Sequence, residues 1–359
     1  MTDLMRNYIK DIYKEFIKLI FNILYGKISI SNKNSKIIKK FKIDKKNFDG
    51  KKYYIYVIKN GSVFTDNVQN VAAIGDNKLY GPSSFQHAND KLVSANFNSV
   101  IKNGTTNFRK KYNGVILSLV QGASTENYFH WLLDILPKIK ICTERYPVNK
   151  INYFYLGNLV KSQQESLQYL GIKKKQLINS KLKKHITASK IIFISHPWYT
   201  KGKFHDQSYN LPKWIIKWIR KTFLRYKKKF KISKKIYLDR SESKYPHCQI
   251  INHQQLQNFL SKKGFVSVKL SKLSFAKQIF MFWNAKFIIG AHGAAFTNLI
   301  FCKPKTKVIE IKPFGHPGKN YQRISMINNL QYRSITSEKK YLKDDNGDIF
   351  IDIKKLKEI

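Results

Sequence analysis

Cysteine is nearly absent: Cys142, Cys248 and Cys302 are the only three in 359 residues, and no two stand in CxxC spacing. That excludes a disulfide framework and a cysteine-based zinc site, and it suits a reducing compartment. Acidic residues are also few, with 22 Asp and Glu against 67 Lys and Arg, a formal net charge of +45. Only eight of those cations are arginine. Lysine is a solvated point charge, whereas arginine supplies the planar fork that suits phosphates and base edges. The charge therefore has two readings: a polyanionic partner, or compositional drift shared with abundant Ile, Asn and Tyr. No RNP, KH, helix-turn-helix or zinc-finger pattern is present, so no nucleic-acid partner is expected. A signal-peptide pattern is missing too, which points to a cytoplasmic location.

What is present is a chain 43% hydrophobic and 14% aromatic, enough for a substantial core and two domains. Residues 1–26 read as an amphipathic helix. Met5, Ile9, Ile12, Phe16, Ile20 and Ile23 recur every three or four residues, with Lys10, Asp11, Lys14 and Lys18 on the other side. Its longest uncharged run, Leu19 to Gly26, is too short to span a bilayer. Such a helix either lies on a membrane surface or packs on protein. Residues 27–52 are lysine-rich and read as a linker. Short strand-like runs to about Leu119 predict a mixed or β-rich layer, after which strands and helices alternate. Alternation implies an α/β fold with parallel sheets, and ligands in such sheets sit beyond the carboxyl ends of strands. The expected divisions are 53–225 and 226–335, followed by a hairpin at Asn346-Gly347 and a helix within 336–359.

Two segments carry chemistry. In the first, Asn127 to Pro137, His130 and Asp134 stand one helical turn apart on one face. A carboxylate beside an imidazole suits general-base work, with Asn127 available to hydrogen-bond a hydroxylated ligand. An N-capped helix with a buried His–Asp pair explains the same spacing. In the second, a strand ends at Gly290 and the turn Ala291-His292-Gly293-Ala294-Ala295 opens a helix containing Thr297 and Asn298. Small residues admit a phosphate close to free N–H groups. His292 can add a donor, and Glu310, ending the next strand, can accept from ribose hydroxyls. A plain tight turn accounts for the glycines equally well.

Together these segments resemble glycosyltransferase family 61. Asn127, His130, Trp131, Asp134, Leu136 and Pro137 match its N-x-x-H-W-x-x-D-x-L-P pattern. Gly290, His292, Gly293, Ala294, Thr297, Asn298 and Phe301 match G-x-H-G-A-x-x-T-N-x-x-F, and Val308-Ile309-Glu310 follows. Tyr237-Leu238-Asp239-Arg240 resembles the family's strand ending in arginine, and Gln278-Ile279 its glutamine-containing helix. The resemblance implies a GT-B-like pair of Rossmann-type domains with parallel sheets, the first on the acceptor side and the second holding a nucleoside diphosphate sugar. It implies inversion at the anomeric carbon, no metal and no cofactor; accordingly no Asp-x-Asp follows an apolar strand.

On this reading Arg240, His247, Gly290, His292, Gly293, Ala294, Thr297, Asn298 and Glu310 bind the donor, and Asn127 and Trp131 contact the substrate. The base is His130 or Asp134, with Glu126 a weaker alternative. The acceptor is a glycan, on a lipid carrier or free, in surface-polysaccharide synthesis, with peripheral contact at the inner membrane face. One departure stands out: the later arginine of the family falls near His247, Cys248 and Gln249, where a protonated His247 can replace it. A catalytically inactive scaffold of a polysaccharide-assembly complex, or a basic nucleic-acid-binding protein, is the rival. The stretch 195–210 mixes aromatic and polar groups, fit either for stacking on sugars or for a solvated loop.

Overall fold

The long strand Lys52–Thr65 organises the first half of the chain. Its side chains are buried on both faces over most of its length, as expected of a central strand. The computed structural model describes residues 3–33, 36–44, 46–65, 71–84, 87–88, 91–92, 95–121, 127–241, 247–337 and 347–356. Two compact units emerge: residues 1–159 with 171–204, and residues 160–170 with 205–359.

In the first unit, helix α1 (Asp3–Tyr25) precedes β1 (Ser29–Ser31), β2 (Ile38–Asp44), β3 (Lys52–Thr65), β4 (Val71–Gly75) and β5 (Lys78–Tyr80). The strands β6 (Lys110–Ser118), β7 (Tyr153–Leu156), β8 (Leu177–Asn179) and β9 (His185–Ile194) complete a nine-stranded sheet. Its order is β1-β5-β4-β3-β9-β6-β7-β8, with β2 also on β3. The sheet is mixed, not parallel: β3 runs antiparallel to β2, β4 and β9, while β9, β6, β7 and β8 are mutually parallel. Hairpin connections join β2 to β5 and crossovers join β6 to β9, while β1 adds parallel to β5 at the far edge. The expected linker at 27–52 contributes β1 and β2. There Ile38 and Ile43 are buried among exposed lysines, with Phe41 half-buried, a pattern that the lysine content obscures.

Helix α2 (residues 128–143) crosses this unit. Its middle, Trp131–Ile135, is wound as a π-helix, with the Leu136 N–H donating to the Trp131 carbonyl. Pro137 has no N–H and its ring crowds the carbonyl four residues back, which favours such a local widening.

The second unit holds five parallel strands: β10 (Lys235–Leu238), β11 (Val266–Val268), β12 (Phe287–Ala291), β13 (Lys307–Lys312) and β14 (Gln331–Thr336). The order β11-β10-β12-β13-β14 is the 2-1-3-4-5 arrangement of doubly wound sheets. Helices α3 (Lys161–Tyr169), α4 (Lys213–Phe223), α5 (His253–Lys262), α6 (Phe275–Asn284) and α7 (Asn320–Ile327) belong to it. The division falls earlier than the expected 225/226, because Arg220 on α4 donates to the carbonyls of Ile300 and Cys302 at 2.7 Å each. Likewise Glu165 on α3 accepts from the Phe275 N–H at 2.6 Å. The C-terminal stretch is no appendage: Ile349, Ile351 and Leu356 enter this unit's core. Asn252 clamps Ile351 there by donating to its carbonyl and accepting from its N–H. Asn346, half of the expected hairpin turn, lies outside the described residues.

His185 on β9 seats the end of α1, its ring 5.0 Å from Tyr25, with Nδ1 3.2 Å from the Asn107 carbonyl. Burial, reinforced by the nearby Arg109 charge, lowers its pKa from 6.5 to about 4. The folded form therefore resists a proton that the unfolded chain accepts, so stability is lost as pH falls from 6.5 to 4. We expect a loss of about 3 kcal/mol over that window. Urea unfolding of the wild type and His185→Gln should show the dependence and its flattening in the variant.

Candidate functional site

In the first unit, π-winding and burial converge on Asp134, which is fully buried. Its Oδ1 accepts from the Trp198 indole at 2.6 Å; its Oδ2 accepts from the Gln121 amide at 2.9 Å and lies 2.7 Å from His130 Nδ1. His196 brings Nε2 to 3.4 Å from the same oxygen. Lys138, also buried, donates to the Gln121 carbonyl. Although burial opposes its charge, the His130 and His196 contacts hold the Asp134 carboxyl well below the usual range. Burial lowers Lys138 to about 8 against the pull of Asp134, and it lowers His196 as well.

An ionised Asp134 can only accept, so His130 carries its proton on Nδ1 and leaves the Nε2 lone pair available. His130 is 22% exposed and its partner 0%. The pair is thus asymmetric, a reachable imidazole backed by an enclosed carboxylate whose oxygens are already taken. Asn127 caps α2 by accepting from the Phe129 N–H at 2.9 Å, and Trp131 is fully enclosed in the core. Glu126 lies outside the described residues. The stretch 195–210 is divided: Trp198 and Tyr199 are buried, with His196 Nδ1 accepting from the Tyr199 N–H at 2.9 Å, whereas Lys201 to Lys203 and Tyr209 are exposed.

In the second unit, Leu238, Gly290 and Glu310 lie side by side in register across β10, β12 and β13. The loops that follow these strands therefore leave at one level, and β10/β12 is the point where the strand order reverses. Arg240 leaves β10 and donates to the His292 carbonyl beyond β12. Gly293 makes this possible, since a Cβ there would come within 2.7 Å of Arg240 Cζ. Gly290 similarly leaves room for Leu238, whose Cβ would be 2.8 Å away.

His292 Nδ1 contacts Glu310, whose other oxygen accepts from the Tyr332 hydroxyl, with Lys312 Nζ at 4.0 Å. Glu310 is buried, with one oxygen against His292 and the other against the Tyr332 hydroxyl. His247 lies 3.3 Å from Arg240 Nη2. Burial and the Arg240 charge lower its pKa. Ala294 to Phe301 winds as a 3-10 helix, not an α-helix. Within it Thr297 and Asn298 are buried, and Asn298 donates to Ala295 and to Gln278.

Several residues escaped the sequence reading. His316, in the Gly- and Pro-rich loop after β13, packs against His292 with ring centroids 3.9 Å apart and the planes tilted by 45°. Gln121 and His196 stand two or three residues past β6 and β9. All three occupy loops at the carboxyl ends of parallel strands, the rule that located Gly290 to Ala295.

Removing the Asp134 carboxylate strands enclosed donors, so Asp134→Ala should cost about 3–5 kcal/mol at neutral pH. Because its folded pKa is depressed, that contribution is present above the ordinary 3.8 and lost as pH falls below it. Chemical denaturation should show the gap between wild type and variant closing in acid.

Two comparisons bear on identity. No curated protein matches the chain. A family model, Glycosyltransferase 61, matches residues 128–309, half of the chain, from the start of α2 to the residue before Glu310. The chain belongs to the glycosyltransferase 61 family and is a glycosyltransferase.

Proposed function

We propose that this enzyme transfers a sugar, with inversion and without a metal, from a nucleoside diphosphate sugar to a glycan in surface-polysaccharide synthesis. The labour divides as in GT-B enzymes, with the second unit holding the donor and the first activating the acceptor. The observation that carries this reading is the meeting of Arg240, His292 and His316 at the strand-order reversal of a parallel sheet.

In the proposed reaction, His130 Nε2 takes the acceptor hydroxyl proton as that oxygen bonds to the anomeric carbon. The bond to the diphosphate oxygen breaks on the opposite face, and its electron pair leaves with the diphosphate. Asp134 stabilises the imidazolium that forms, as a buried carboxylate does in hydrolytic triads. Charge developing on the leaving group meets the Arg240 guanidinium, the Gly293 and Ala294 N–H groups and His292 held by Glu310. Groups fixed in this way lower the barrier without reorganising. Asn127, Trp131, Thr297 and Asn298 act by holding these elements in place.

His130→Ala should lower kcat by about two to four powers of ten, the usual worth of a general base. His130 also compensates the enclosed Asp134 carboxylate, so the variant should melt somewhat lower than wild type, and kcat is to be read well below that temperature. In a thermal-shift panel the variant should still be stabilised by the nucleotide sugar that stabilises the wild type. Wild-type turnover by His130→Ala would remove the base from this account. A folded wild type that responds to no nucleotide sugar would favour the inactive-scaffold reading.

A further inference from the structure

Helix α1 is fastened by the side opposite its apolar stripe. Of its described residues only Phe21 is buried. Phe21 packs with Phe64, Ala72, Ile74, Leu79 and Val100. Tyr25, one turn on, has its hydroxyl 3.0 Å from the Arg109 N–H, which donates to it. At 100° per residue these two anchors continue the row of Lys14 and Lys18, spaced four, three and four residues apart. The stripe Met5, Ile9, Ile12, Phe16, Ile20 and Ile23 lies on the far side of the helix from that row. Each of the six is exposed, from 37% at Ile20 to 74% at Ile23. Of the two readings open from the sequence, packing on the enzyme's own core is thus not the one realised.

We propose that this stripe docks α1 onto an anionic lipid surface. The argument rests on charge and shape rather than on the transfer reaction. A second copy of a chain carrying +45 is repelled by the first, whereas an anionic bilayer attracts it. Arg6 borders the stripe, and Lys14 neutralises Asp11 at 2.7 Å, leaving Asp3 and Glu15 as the acidic groups of the helix. Tyr8 and Tyr13, both exposed, flank the stripe on either side, where amphipathic rings favour the headgroup level. Among the described residues no helix is long and apolar enough to cross a membrane, so α1 lies in the interface plane.

The test is co-sedimentation of the full chain with vesicles of phosphatidylglycerol and phosphatidylethanolamine, or of phosphatidylcholine alone. Wild type should pellet with the anionic vesicles and be released by salt. The double substitution Ile12→Glu with Phe16→Glu, and the milder Phe16→Ser, should reduce pelleting, the double by about tenfold or more. Both residues are exposed, so circular dichroism and the melting temperature should match wild type. Equal pelleting of wild type and both variants overturns the proposal. So does a wild-type dimer, seen by light scattering, that the substitutions dissolve while vesicle binding is absent, since a second copy would then cover the stripe.

Discussion

Arg240 reaches across to the strand beside its own because position 293 carries no side chain. Much of the second unit's chemistry depends on that close approach. The in-register run Leu238, Gly290, Glu310 brings three loops to one edge, and Gly290 lets β10 and β12 lie close enough for the run to form. Once Arg240 is fixed on the His292 carbonyl, His292 has its backbone held from one side and its ring held by Glu310 from the other. A cation and an imidazole so held need no rearrangement when an anion arrives, which is the condition for strong electrostatic stabilisation.

The same device, a histidine Nδ1 against an enclosed carboxylate, occurs once in each unit. His130 leans on Asp134 and His292 on Glu310, yet the surroundings differ. Asp134 is surrounded by neutral donors and by Lys138, whose buried amine compensates its charge through Gln121. Glu310 is shared with a tyrosine hydroxyl and lies near Lys312. A network this buried is costly to leave incomplete, so its members act together on stability as well as on the orientation of the exposed imidazole.

Both motif segments were legible because they sit where general rules place ligands, one on a helix with four-residue spacing and one after a parallel strand. The alternating second half of the chain likewise predicts the doubly wound sheet. The mixed layer expected before Leu119 is present, but its strand order and the part that β2 takes in it were not legible. Its β2 carries Lys39, Lys40 and Lys42, which resemble a solvated linker, and only pairing with β3 reveals the strand. Roles inside the motifs were harder still. The sequence shows that Glu310 ends a strand, but not that Tyr332 and His292 occupy it. Nor does it show that Trp198, sixty-four residues after Asp134, supplies the donor that turns this carboxylate into an orienter. Long-range partners of this kind follow from packing, to which local periodicity is blind.

The central claim is that the turn at Gly293 and the Arg240 guanidinium form the seat of the donor diphosphate. Titration calorimetry of nucleoside diphosphates into wild type and Gly293→Ala tests it most directly. The account predicts that wild type binds one of them, and that the alanine, by displacing Arg240, abolishes that binding while the fold persists. A folded Gly293→Ala protein that binds the same diphosphate as tightly as wild type would contradict it.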